Sequence, residues 1–171
     1  VLLEVVQGEG GVYPGSSDFL LLAQELCKKH GALLIIDEVQ TGFGRTGKLF
    51  ACEHHDLAPD FICLGKSIAG GIPMGAVLIG DTVGMLSPGI HGSTFGGNPL
   101  ACAAGLAALR VQEEEKLPER AAVLGANLLQ QIQNVDSPLF REVRGLGLMI
   151  GIELKQKSAP YIKALADQGV L

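Results

Sequence analysis

Three short apolar runs, each closed by polar or ionisable residues, constrain this chain's fold more than any other feature. They are Val1 to Val6, Ala32 to Ile36 and Asp60 to Leu64. Gln7 and Glu9 follow the first, Asp37, Glu38 and Gln40 the second, and Gly65 and Lys66 the third. Short apolar runs without polar alternation belong to strands covered on both faces, the usual state of a parallel sheet. A helix is expected between the first two: Ser16 or Ser17 caps it, Phe19, Leu22, Leu26 and Cys27 recur at helical spacing, and Gly31 stops it. Asp18 in its first turn and Lys28, Lys29 and His30 in its last complement the helix dipole. Ala76 to Ile79 adds a fourth strand. Strand and helix in alternation predict an α/β fold with a mostly parallel sheet.

The second half reads differently. Asn98 caps and Pro99 opens an Ala-rich helix to about Glu115, apolar on nearly every face and therefore expected to be buried. A further helix after Pro118 sets Ala121, Leu124, Leu128 and Ile132 on one stripe, which predicts packing on one side. Ser137 and Pro138 break the pattern. Strands around the Gly145 and Gly147 turn follow from Phe140 to Leu154, then a helix from about Ala159 to Asp167. The break divides the chain into a larger unit, 1–135, and the start of another, 136–171. The chain opens without Met inside an apolar run and ends just past a helical stretch, so it reads as a piece cut from something longer.

Composition excludes several classes. With 13 Lys and Arg scattered along the chain and a net charge of −5, there is no basic stripe for nucleic acid. No apolar run is long enough to span a membrane, and Val1 to Val6 lacks the flanks of a signal peptide. Cys27, Cys52, Cys63 and Cys102 form no Cys-x-x-Cys pair, which fits packed, reduced thiols in a cytoplasmic protein. Fifteen of the 24 glycines cluster at 8–15, 42–47, 65–75 and 89–97, where tight loops are expected.

Open α/β sheets bind ligands beyond the carboxyl ends of their strands, where Glu9, Asp37, Gln40 and Lys66 all fall. Adjacent strands lie about 4.8 Å apart, so an acid and a lysine on nearby strand ends can bracket a small planar ligand. Pyridoxal 5′-phosphate (PLP) needs that pair: a lysine for the Schiff base, and a carboxylate to keep the pyridine nitrogen protonated so that the ring accepts electrons. Lys66 and Asp37 fill these roles. A lysine desolvated in such a pocket has a lowered pKa and becomes a competent nucleophile and, once released, a base. Val39 lies two residues past Asp37, on the same face if the strand continues, where it would pack beneath the ring, with Gln40 in reach of the ring hydroxyl. The loop from His91 to Gly97 offers hydroxyls and free N–H groups to a phosphate at a helix start.

Rival readings carry less. Leu33 to Glu38 and Gly65 to Ser67 mimic the two nucleotide motifs of an NTPase, but Asp60 stands where the phosphate loop requires Gly, and the order is reversed. His54, His55 and Asp56 are expected in a solvated loop, because neighbouring His side chains diverge. Arg45 suits either an anionic substrate or a surface. Glu113 to Glu115 reads as a solvated helix end, and Glu38 as structural.

LLIIDEVQTGFGRTG at 33–47, DFICLGK at 60–66 and HGSTFGGNPLA at 91–101 resemble the class III aminotransferases, a likeness that runs along the whole chain. QGEGG at 7–11 and GSTFGGNP at 92–99 resemble the acetylornithine and ornithine group within that class. The resemblance implies the type I fold of PLP-dependent transferases, with 1–135 as the second half of the large, cofactor-binding domain and 136–171 as the start of the C-terminal small domain. It implies a homodimer in which Thr94 reaches the phosphate of the neighbouring subunit's cofactor, Ser93 lies near the substrate, and Glu9 pairs with an arginine when that arginine holds no substrate carboxylate. RGLGLMIGIELK and APYIKAL, in the tail from Arg144 to Leu171, look closest to acetylornithine and carrier-protein-linked lysine aminotransferases.

Val5 departs from the family, which usually has Pro after Glu4. The family's N-terminal phosphate loop, stacking aromatic and C-terminal carboxylate-binding arginine have no counterpart here. The activity implied is transfer of the terminal amine of N-acetylornithine, or a similar acyl-diamino acid, to 2-oxoglutarate in arginine or lysine biosynthesis. Ornithine and carrier-linked lysine remain open as donors, as does a catalytically incomplete fragment.

Overall fold

The computed structural model describes residues 1–87 and 89–170. A four-stranded sheet runs β1 (Leu2–Glu4), β4 (Ile35–Asp37), β5 (Phe61–Leu64), β6 (Ala76–Ile79) in that spatial order. The first three are parallel and β6 is antiparallel to β5, so the mostly parallel α/β sheet expected from the sequence is present. The first apolar run splits in two. Past Glu4, residues Val6–Gln7 form β2 and pair antiparallel with β3 (Tyr13–Pro14). The second run enters the sheet late, because the Leu34 N–H is taken by the Asp60 carboxylate at 2.8 Å, and the strand occupies Ile35–Asp37, not Ala32 to Ile36.

Helix α1 (Ser17–His30) has the expected ends: the Ser16 hydroxyl accepts from the Phe19 N–H at 3.3 Å, and Gly31 closes the helix in the left-handed region at φ 65°. Its inward residues are Leu20 and Cys27, whereas Phe19, Leu22 and Leu26 are exposed. The main core joins that face to Val5, Val6, Leu34, Ile36, Ala51 and Cys52. Ala51–His55 form a short 3₁₀ turn, so His54 and His55 are half-buried and not in a solvated loop. They do diverge: His54 Nε2 lies 3.1 Å from the Thr46 carbonyl and His55 Nδ1 2.9 Å from the Ser17 hydroxyl.

Helices α2 (Pro99–Glu114) and α3 (Leu117–Gln133) correct two expectations. Asn98 and Pro99 open α2 as predicted, with Asn98 Oδ1 accepting from the Ala101 N–H at 2.9 Å. It is not buried all round. Ala101 and Gly105 face a second 3₁₀ turn at Lys66–Ala69, and Leu100, Leu106 and Leu109 are exposed. Composition reports which faces are apolar, but not which of them the chain itself covers. On α3 the buried residues are Ala121 and Gly125, while Leu124 and Leu128 of the expected stripe are exposed.

The reason on α3 is close backbone approach. The antiparallel hairpin β7 (Phe140–Leu146) and β8 (Met149–Leu154) drives its Gly147 turn between α3 and the 42–47 loop. A Cβ at Gly125 would run into the Gly147 carbonyl, and one at Gly147 into the backbone of Thr46. The Leu148 N–H donates to the Arg45 carbonyl at 2.9 Å across the same seam. Helix α4 (Ala159–Ala166) follows the hairpin. No described helix is long and apolar enough to cross a membrane.

Asp60 gives the fold a dependence on pH. Its carboxylate accepts from the Leu34 N–H and from the Thr82 hydroxyl at 2.9 Å, and these bonds, the backbone one first, hold it below the usual carboxylate range. The unfolded chain therefore takes up the proton first. The stabilisation is whole above the unfolded value, about 4, and is lost as pH falls through the folded value. Denaturant midpoints are expected to drop on acidification below about pH 4, less steeply in Asp60→Asn. An unchanged slope in that variant would remove Asp60 from the explanation.

Candidate active site

Asp37 ends β4 and is paired in register with Cys63 of β5, so both side chains leave the sheet on one face. Burial pushes the Cys63 thiol up, and the nearby Asp37 carboxylate adds to the rise. Asp37 Oδ1 accepts from the Val39 N–H at 2.9 Å, which turns the chain as soon as the strand stops. The strand thus does not continue to Val39 as the sequence reading assumed. Val39 still reaches the site by another route: a Cβ at Gly65 would stand 3.3 Å from Val39 Cγ1, so its methyls cover the residue just before Lys66.

Lys66 lies three residues past Cys63, at the carboxyl end of β5, and adopts φ 46°. A non-glycine residue in that left-handed region carries strain of about 1 kcal/mol, and such strain concentrates at functional turns. Its side chain is exposed, and among the described residues its Nζ has no hydrogen-bond or ion-pair partner. The described residues alone therefore do not bury the lysine as the sequence reading expected.

Glu38 points the other way and is fully buried. Its carboxylate accepts from the Thr41 hydroxyl, from the Ala51 N–H at 3.0 Å and from the Cys52 N–H at 2.8 Å. It caps the 51–55 turn and anchors the loop that leaves Asp37. Burial, with the Glu38 charge second, pushes the Cys52 thiol up to about 12. A carboxylate buried from solvent and engaged on both oxygens by the protein's own donors is a structural anchor, which argues against the nucleotide-motif reading of Asp37 and Glu38.

Gln40 and Glu9 meet: Gln40 Nε2 donates to Glu9 Oε1 at 3.0 Å, at an exposed position on the same edge. Ser93 lies elsewhere, on the exposed 91–97 loop, where it lines a cavity of about 360 Å³ with Met74, Gly75, His91 and Asn98. Neither Asp37 nor Lys66 lines that cavity, and Thr94 is exposed on the same loop. Arg45 is exposed beside a second cavity of about 290 Å³, with Ser67 and Arg120.

A family model for class III aminotransferases matches residues 1–171. The chain belongs to the class III aminotransferases. It is 53% identical over 173 residues to a [LysW]-aminoadipate semialdehyde transaminase of Deinococcus radiodurans, covering 100% of this chain and 40% of that protein. An ornithine aminotransferase from Plasmodium yoelii superposes with a TM-score of 0.93 at 42% identity, over 99% of this chain and 47% of that one. An acetylornithine aminotransferase from Elizabethkingia anophelis does so with a TM-score of 0.90 at 45% identity, over 99% and 45%. The chain therefore spans less than half the length of these relatives.

Members of this class work with PLP, and the strand ends of this chain fit that group. Among the described residues only one oxygen of Asp37 has a partner, which leaves the other to accept from a ring N–H. The Lys66 amine is unengaged among the described residues, and the Val39 methyls lie against Gly65, the residue before it. Sequence reasoning missed the role of Arg144, which it saw only as part of a motif. Arg144 ties the hairpin to the Gly10–Tyr13 loop through contacts more than 130 residues apart.

Proposed function

We propose that this chain supplies the lysine-bearing core of a PLP-dependent aminotransferase that moves the terminal amine of N-acetylornithine, or a similar acyl-diamino acid, to 2-oxoglutarate in arginine or lysine biosynthesis. The observation that carries the reading is the register of Asp37 with Cys63, which sets a carboxylate and, three residues on, the Lys66 amine at neighbouring strand ends. When bound, PLP supplies a carbonyl that accepts an amine and a ring that withdraws electrons from the adjacent carbon.

Asp37 would hold the ring nitrogen, Val39 one face of the ring, and Gln40 its hydroxyl. Lys66 would bind covalently and then, once displaced, carry a proton to and from the reacting carbon. Glu9 and Ser93 would face the substrate, and Thr94 the cofactor phosphate of a second copy in a cytoplasmic homodimer. Residues 1–135 then belong to the large domain and 136–171 to the start of the small one.

Mixing the protein with PLP, reducing with borohydride and mapping the labelled peptide tests this directly. A pyridoxyl group on Lys66 is expected. A label elsewhere, or none, would remove the cofactor role.

Two further readings have specific support. Carrier-linked lysine, the amine that corresponds to the semialdehyde in the Deinococcus enzyme's name, is favoured as donor by the 53% identity to that enzyme, and ornithine by the Plasmodium one. Catalytic incompleteness of these 171 residues on their own is favoured by the exposed apolar faces of α2 and α3 and by the span of less than half of each relative.

A further inference from the structure

Glu9 sits at the start of a strained loop. Gly11 has φ 113° and Val12 φ 57°, and a β-branched residue in the left-handed region does not stay there unaided. Internal bonds are few: the Gly11 and Val12 N–H groups both donate to the Gly8 carbonyl, at 3.1 and 3.2 Å. The β2–β3 pairing closes the loop at its base, and the hairpin restrains its far side. Arg144 Nε donates to the Gly11 and Val12 carbonyls at 3.1 and 3.2 Å, and a second guanidinium nitrogen donates to Gly11 at 2.8 Å.

The guanidinium is itself fixed. It lies 3.6 Å over the Tyr13 ring and pairs with Glu153 at 2.8 Å and Glu142 at 2.9 Å, and the Tyr13 hydroxyl donates to Glu153 at 2.9 Å. The Arg144 side chain is only 11% exposed. At the other end of the loop Glu9 accepts from Gln40, three residues past Asp37. One continuous line of contacts thus runs from the hairpin to the edge of the sheet where Asp37 and Lys66 lie.

We infer that Arg144 is a positioning residue for Glu9: by holding the Gly11 and Val12 carbonyls it keeps the Glu9 carboxylate on Gln40, and so weights the site toward a donor with a cationic amine over a dianionic 2-oxo acid. The inference rests on the aminotransferase reading above. A carboxylate fixed at the mouth of a site attracts an ammonium group and repels a dicarboxylate, and a carboxylate free to swing does neither as well. Lysine at 144 keeps the charge opposite Glu153 but cannot serve two carbonyls and a carboxylate in one planar fork.

The test uses the complete PLP-loaded polypeptide, with N-acetylornithine and 2-oxoglutarate as probes. In Arg144→Lys, kcat/KM for the amine is expected to fall about tenfold relative to kcat/KM for 2-oxoglutarate. The visible cofactor band should be retained, and the amides of residues 10–12 should exchange faster. Glu9→Gln should reproduce the shift, and Arg144→Lys added to Glu9→Gln should change the ratio no further. An unchanged ratio in Arg144→Lys, or a shift that persists on top of Glu9→Gln, overturns the role of Arg144. A parent without a Lys66-dependent band fails the underlying function instead and takes this inference with it.

Discussion

Replacing Lys66 with alanine is expected to lower transamination by on the order of 10⁴-fold in the complete polypeptide, since both the covalent attachment and the proton carrier are lost. Stability should hardly move. The side chain is exposed and without partners among the described residues, and such surface substitutions stay within about 0.5 kcal/mol. The backbone strain at φ 46° is common to lysine and alanine, so the variant isolates the amine. Lys66→Arg keeps a cation there but no usable nucleophile, and should be equally inactive. Single-turnover measurements with the amine donor would show the loss in the chemical step. Turnover of Lys66→Ala within tenfold of the parent would mean that another group does this chemistry.

The largest structural effect is expected at Gly125. Alanine favours a helix over glycine by about 1 kcal/mol, so on α3 alone the substitution would stabilise. The Gly147 carbonyl stands where the new methyl must go, and the atoms involved are backbone, which cannot rotate aside. Overpacking of that kind costs about 3 kcal/mol, so the steric term wins. The net loss, about 2 kcal/mol, lowers the melting temperature by roughly 4 to 8 °C for a chain of this size. Gly147→Ala should be at least as damaging, because it meets Thr46 and also leaves φ 56°, where glycine is at ease. A Gly125→Ala protein that melts at or above the parent temperature would show that helix, hairpin turn and 42–47 loop do not meet as described.

What could be read from the sequence was what is decided locally. The N-caps of α1 and α2 depend on residues three positions apart and a glycine stop on its own backbone, so Asn98, Gly31 and the pair Ser16 and Ser17 were identifiable, with Ser16 the one that caps. Asp37 and Lys66 stood out because the end of an apolar run marks the residues that follow it, and the register sets Asp37 opposite Cys63, three residues before Lys66. The late start of β4 was hidden because the group that takes the Leu34 N–H is the carboxylate of Asp60, 26 residues away.

Burial was harder still. Apolar periodicity named Ala121, Leu124, Leu128 and Ile132 as the inward stripe of α3, but only Ala121 of that stripe is buried, and it is joined by Gly125, whose close approach depends on a hairpin turn at Gly147. Glu38 read as structural, yet its partners at 51 and 52 could not be named, and Arg144 gave no local sign of its attachment to residues 11 and 12.

The buried carboxylate of Glu38 also affects how the protein can be labelled. With its thiol pushed up to about 12, Cys52 holds roughly one part in 10⁵ as thiolate at neutral pH, and the thiolate is the form that reacts. Alkylating reagents and peroxides will pass it by while the loop is folded. Modification of Cys52 therefore serves as a clock for opening of the segment between β4 and β5, and a probe attached there reports unfolding rather than surface chemistry.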